Sequence, residues 1–203
     1  MIYTCIPYAS SEHSKDLGWA YNDFMQNLSD QDWACFLDHD AMFTVSDWYP
    51  RLERVIKNNP EVGAFGCRTN RVANTYQLLG GVDIHNHDIE YHRRIGEQAA
   101  EEFKGQLSII DDSTYQDGFS GVFILISKNT WKRIGGFKQG QFLSVDNDLR
   151  HRLNAHSIKF ATIDEIYVYH WYRAHNPYPH SVKILDGINS INKKHNNIFL
   201  YKK

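Results

Sequence analysis

Cysteine is scarce in this chain, three in 203 residues. Cys5, Cys35 and Cys67 are odd in number, widely spaced and set in apolar runs. That pattern excludes a disulfide framework and a zinc cluster, and the three read as reduced core thiols. An excess of charge of one sign is also missing. Lys and Arg number 22 against 24 Asp and Glu, a net charge of −2, which argues against generic binding to nucleic acid or to an anionic membrane surface. No apolar stretch approaches the length needed to span a bilayer. Met1 leads directly into a strand-like run rather than a basic and then apolar leader. The expectation is a soluble, cytoplasmic protein without repeats or low-complexity tracts.

What the chain does have is aromatic side chains, 14% of residues, within an ordinary hydrophobic share of 42%. Its length fits one domain with a sizeable core. Aromatic rings suit a cleft that stacks on sugars or bases, although most rings serve as core, and Trp33 and Trp131 read that way.

Apolar patterning predicts strands at 2–6, 33–37, 62–67, 121–126 and within 158–170. Helical spacing relates Leu17, Ala20, Tyr21, Phe24 and Leu28, with Ser10 or Ser11 as the cap. It also relates Leu52, Val55 and Ile56, with Ser46 as the cap. Shorter helices are expected over 129–134, stopped by Gly135-Gly136, and over 146–155 with acids in the first turn. This alternation implies an α/β fold with a mostly parallel central sheet, a single domain over 1–173, and a tail over 174–203 with an amphipathic pattern through Val182, Leu185, Ile188 and Ile191. Between 68 and 117 the periodicity weakens. His85, His87, Asp88 and His92 crowd a polar stretch, which reads as an irregular, mobile acceptor or active-site segment.

The chemistry concentrates at strand ends. Phe36-Leu37-Asp38-His39-Asp40 brings two carboxylates to the mouth of a buried strand, where ligands of α/β sheets collect. In extended geometry residues i and i+2 point the same way, so both acids can face one cation. Hard oxygen donors select Mg²⁺ or Mn²⁺. His170, ending the last strand, would add a nitrogen and tilt the choice towards Mn²⁺. Such an ion can neutralise a diphosphate leaving group.

Several segments resemble GT-A glycosyltransferases. Gly121 to Ser127, Gly135-Gly136-Phe137 and Asp146-Asn147-Asp148 opening a helix are similar to the C-terminal half of that fold. Leu17-Gly18-Trp19-Ala20-Tyr21-Asn22 with Phe36 to Asp40 resembles its helix and metal-binding D-x-D motif. His170-Trp171-Tyr172-Arg173 followed by Pro177-Tyr178 is similar to a segment of the polypeptide N-acetylgalactosaminyltransferases, which are retaining enzymes. The resemblance implies a pared-down Rossmann-like GT-A domain, a nucleoside diphosphate sugar donor with UDP as default, and a carbohydrate or other hydroxyl acceptor. It implies Asp38, Asp40 and His170 as metal ligands, and Arg173 and Tyr178 near the diphosphate. The acidic triplet resembles an element of inverting members and implies Asp146 and Asp148 as catalytic candidates, although Val145 replaces the preceding Glu. The usual second strand and base-binding Asp are missing, so nucleotide recognition falls to the strand end at Thr4, Pro7 and Tyr8, or to Asp38 and His39. Two other readings remain. The strand and D-x-D also resemble haloacid-dehalogenase-type phosphatases, although Met42 stands where those have Thr or Val; the other is a non-catalytic nucleotide- or carbohydrate-binding module.

Overall fold

The computed structural model describes residues 1–13, 15–72, 74–110 and 119–172. Arg173, Tyr178 and the tail expected over 174–203 lie outside the described residues.

The elements run β1 (Ile2–Cys5), α1 (Leu17–Gln26), β2 (Trp33–Leu37), β3 (Ala41–Phe43), α2 (Trp48–Asn58), β4 (Val62–Thr69), α3 (Ile89–Glu102), β5 (Leu107–Ile109), β6 (Phe123–Ser127), α4 (Lys128–Arg133), α5 (Val145–Ala155) and β7 (Lys159–His170). One seven-stranded sheet has the order β1-β2-β6-β4-β7-β3, and β5 also pairs with β7. Alternate residues along the strands feed two cores. Cys35, Phe65, Leu125 and Ile163 pack with Leu52 and Val55 of α2. Phe36, Ala64, Ile124 and Phe160 pack with Tyr21 and Met25 of α1 and Leu149 and Leu153 of α5. A sheet with both faces covered by helices is the α/β arrangement expected.

The sheet is mixed, however, and not mostly parallel. Only β1–β2 and β4–β7 are parallel; the other four ladders are antiparallel. The cause is where β6 starts. The Val122 carbonyl accepts a hydrogen bond from Asp38 N at 3.0 Å, so β6 enters at the edge where β2 ends and runs back between β2 and β4. Strands β1, β2, β4 and β7 still share one direction, so their carboxyl ends gather on a single edge.

The helix starts differ from expectation. Asp16, not Ser10 or Ser11, caps α1, its side chain accepting from Trp19 N at 2.9 Å. Asp47, not Ser46, stands at the start of α2 and makes no cap bond, because its carboxylate is taken by Arg51 Nε at 2.9 Å. Gly135 and Gly136 end the α4 region with φ of 74° and 82°, a left-handed turn that suits glycine. The described part of the stretch 68–117 is not irregular: it holds the end of β4, the 14-residue α3 and β5. Asp88 caps α3. The buried face of α3 is Tyr91, His92, Ile95, Gly96, Ala99 and Ala100, too many of them small or polar to register as a hydrophobic stripe. Gly96 permits its close approach to the sheet, since a Cβ there would lie 2.0 Å from Thr44 Oγ1. His92, read as part of a solvated loop, is fully buried, bonded to Tyr167 OH and Asn86 O at 2.7 Å each.

Strand β7 is buried along all but its first residue, and its pairing with β4 jumps from Cys67↔Ile163 to Arg68↔Tyr167. Residues 164–166 bulge out between the two halves. The bulge carries two acids with their own cations. Asp164 meets Arg68 Nη2 at 2.6 Å, and fully buried Glu165 takes Arg51 Nη1 at 2.8 Å and Arg54 Nη2 at 2.6 Å. Removing one member of a buried ion cluster strands its partners. Glu165→Ala is therefore expected to lower stability by about 3 kcal/mol, read by urea unfolding; a loss under about 1 kcal/mol would show that the cluster is not needed to hold the bulge.

Candidate metal centre and cleft

Asp38 and Asp40 sit in the turn that leaves β2, with Ala41 N bonded back to Asp38 O at 3.1 Å. β3 follows at once and pairs with the end of β7, Ala41 opposite His170, while Trp171 N donates to Asp40 O at 2.9 Å. The ladder therefore carries both carboxylates across the sheet edge to the imidazole. His170 Nε2 lies 3.2 Å from Asp40 Oδ1 and 3.9 Å from Asp38 Oδ2, and one ligand atom from each of the three residues falls within 4.8 Å of the others.

The tautomer of His170 follows from its second contact. Nδ1 lies 2.7 Å from the Arg71 carbonyl, which can only accept, so Nδ1 carries the proton and Nε2 faces the acids. Two carboxylates and a ring nitrogen converging in this way repel unless a proton or a cation joins them. Nitrogen and oxygen donors, with the far ring nitrogen fixed by a carbonyl, are what a divalent metal site needs. The residues fit Mn²⁺ or Mg²⁺.

The acids are not equivalent. Burial lifts the Asp38 carboxyl to about 6; the charges of Asp40 and Asp146 add to the rise, and His170 and His39 oppose it. For Asp40, burial is outweighed by the hydrogen bond and charge of His170, which hold the carboxyl below its usual range.

Both acids open into a cleft of about 420 Å³, lined also by Pro7, His39, Asp146, His170, Asn74 and Tyr172. Asp146 sits in the first turn of α5, and Ser144, which precedes the helix, has φ of 65°. Its Oδ2 accepts from Gly121 N and its Oδ1 from Asn147 N, both at 2.9 Å. Burial raises its carboxyl, with those two donors in opposition. Buried Gln77 clasps Ser120, accepting from its N–H at 2.7 Å and donating to its carbonyl at 3.3 Å, and so fastens the entry of β6 to the chain after β4.

Of the residues singled out in the sequence, Pro7, Asp38, His39, Asp40, Asp146 and His170 meet in this cleft. Thr4 and Tyr8 are exposed and do not line it. Asp148 does not line it either; its Oδ2 pairs with Arg152 Nε at 2.5 Å on α5 itself. Trp171, 40% exposed, lines a second depression of about 350 Å³ with Met42, His87, Ile89 and Tyr169, and Asp40 belongs to both. Sequence reasoning missed Asn70, Arg71 and Asn74. They directly follow strand β4, and the strand-end rule that singled out Asp38 applies equally to them.

Asp40→Ala is expected to abolish Mn²⁺ binding in calorimetry with an unchanged circular dichroism spectrum; retained affinity would dismiss the triad. A second expectation concerns pH. A carboxyl raised in the folded state contributes stability below its unfolded pKa and loses that contribution as pH rises through about 6. Bound Mn²⁺ requires the deprotonated acid, so thermal stabilisation by Mn²⁺ should be slight at about pH 5 and full at about pH 7.5. Equal shifts at both values would remove Asp38 from the ligand set. The chain matches no protein-family model, no curated protein and no solved structure.

Proposed function

We propose that this chain is a metal-dependent glycosyltransferase of the GT-A type, moving a sugar from a UDP-sugar donor to a hydroxyl acceptor. The observation that carries this reading is the meeting of Asp38, Asp40 and His170 in one cleft with a second, backbone-held acid, Asp146. When bound by the three ligands, Mn²⁺ or Mg²⁺ supplies Lewis-acid neutralisation of the leaving diphosphate. Pro7 and His39, which line the cleft, would face the nucleotide. By resemblance, Arg173 and Tyr178 complete the diphosphate contacts.

In the transfer, the bond from the anomeric carbon to the phosphate oxygen breaks and a bond to the acceptor oxygen forms. The acceptor proton must go to a base. Asp146 is suited to receive or orient that hydroxyl, because each of its oxygens is held by one backbone N–H and keeps a free lone pair. No cation ties it up among the described residues. In a retaining transfer the departing phosphate oxygen takes the proton and Asp146 positions the acceptor; the likeness around His170 favours this course. The acceptor side would lie towards Trp171, whose exposed ring can stack on a sugar.

A screen of nucleotide-sugars for Mn²⁺-dependent release of the nucleoside diphosphate tests the reading. Turnover of simple phosphomonoesters with nucleotide-sugars left intact would favour a phosphatase, and turnover of neither a binding module. Asp146→Asn should preserve donor affinity. If the reaction retains configuration the loss should fall on acceptor KM; if it inverts, kcat should fall by ~10²–10⁴. The anomeric configuration of the product, read by NMR, must agree with whichever loss is seen.

A further inference from the structure

Arg71 is the largest fully buried side chain among the described residues, 2% exposed. Its Nε has no hydrogen-bond partner, and no carboxylate of the described residues forms an ion pair with its guanidinium. Other buried charges have partners in this fold: Glu165 takes Arg51 and Arg54, Asp164 takes Arg68, and Lys128 donates to the Met25 carbonyl and lies over the Trp131 ring. Around Arg71 the acting polar groups are the phenols of Tyr169 and Tyr172, which bring no counter-charge while neutral. A fully buried cation without an anion is strongly unfavourable, and such a group persists where a ligand supplies the missing charge.

A second unpartnered donor belongs to the preceding residue. Asn70 Nδ2 is buried and unpartnered, while its Oδ1 accepts from His170 N at 2.8 Å. Both residues follow β4 at the carboxyl edge of the sheet. Both touch His170, since the Arg71 carbonyl holds Nδ1 and the opposite ring nitrogen faces Asp40. A segment with two unpartnered donors therefore contacts the histidine of a triad whose three acceptors converge. An anion with several oxygens can satisfy the donors with one oxygen and the cation with another. A phosphoryl group has that form, and the planar guanidinium matches it.

We propose that Arg71, assisted by the Asn70 amide, forms an anion subsite that receives a phosphoryl oxygen of a ligand whose other oxygens face the cation held by Asp38, Asp40 and His170. The identification of that ligand as a nucleoside diphosphate rests on the proposed function; the anion subsite itself does not. Arg71 does not itself line the cleft, whereas Val72, His170 and Tyr172 do, and Tyr172 is the least buried of the three. The anion would enter past the Tyr172 ring.

The test is thermal unfolding and calorimetry with excess Mg²⁺ and either pyrophosphate, UDP or orthophosphate, on the full chain and on Arg71→Met and Arg71→Lys. The wild type should bind pyrophosphate and UDP. Arg71→Met should unfold no lower than wild type without ligand and bind Mn²⁺ equally, yet lose pyrophosphate affinity roughly tenfold to hundredfold. Arg71→Lys, which keeps the charge without the fork, should lose less. A methionine variant that is less stable without ligand, or that binds pyrophosphate as the wild type does, overturns the proposal, as does a wild type that gains nothing from pyrophosphate over orthophosphate. Arg71-dependent pyrophosphate binding in a protein that hydrolyses no nucleotide-sugar leaves the subsite standing and removes the transferase reading.

Discussion

Everything at the candidate site depends on the way β7 is held on both edges. One edge pairs with β4 over residues 159–163 and 167–168. The other is shared by two short strands, β5 before the bulge and β3 after it. Burial along the strand and the pairing of residues 168–170 with β3 leave His170 at its end little freedom. β3 follows Asp40 without a linker, and its pairing with residues 168–170 is what turns two acids at the end of one strand into neighbours of an imidazole at the end of another. The Arg51–Glu165–Arg54 cluster thus has a bearing on the site from a distance, because it occupies the bulge that lets β5 and β3 share that edge.

Two clusters of buried charge are treated differently in this molecule. In the bulge, opposite charges are matched and serve the fold. At the carboxyl edge, acids and a guanidinium lie around one histidine and do not pair with each other: Asp38 and Asp40 face Nε2, while Arg71 meets the ring only through its backbone carbonyl. Direct Arg–Asp pairing would satisfy both groups. Its absence leaves one cluster that attracts a cation and another that attracts an anion, which is a disposition suited to a bound salt and poor for stability alone.

The parts legible in the sequence were those in which large aliphatic or aromatic side chains carry the period. β2 is placed to the residue, α4 and α5 within one position, and α1 only at its C-terminal end, since its start lies about five residues after the expected serine cap. α3 was not legible, because a face of His92, Gly96, Ala99 and Ala100 buries through close approach and hydrogen bonds rather than bulk. Strand direction was hidden for a different reason. Apolar runs look alike in either direction, and only the hydrogen bond from Asp38 N to Val122 O reveals that β6 returns from the same edge. The three residues that meet as a candidate metal site were legible because strand ends are informative. Asp148 was misleading because residues two apart point the same way on a strand but about 200° apart on a helix, so an acidic triplet opening α5 sends only one acid into the cleft. Arg71 carried only its place after a strand end, and its burial was hidden because an arginine in a polar stretch ordinarily faces water.

The short segment leaving β4 ties the two halves of the site together. The peptide carbonyl of Arg71 fixes the His170 tautomer, the amide oxygen of Asn70 fixes its backbone, and the side chains of the same two residues present the unpaired donors. A displacement of this segment would loosen the imidazole and shift the guanidinium in one motion. Such a shared support links whatever occupies one half to whatever occupies the other, and linkage of this kind is reciprocal: a cation that steadies His170 also steadies the donors awaiting an anion. The protonation of Asp38 enters the same balance. Its carboxyl is raised mainly because it is buried, and the neighbouring acids add to the effect. A cation removes that repulsion and anchors the turn from which β3 departs, so occupancy and local rigidity rise together.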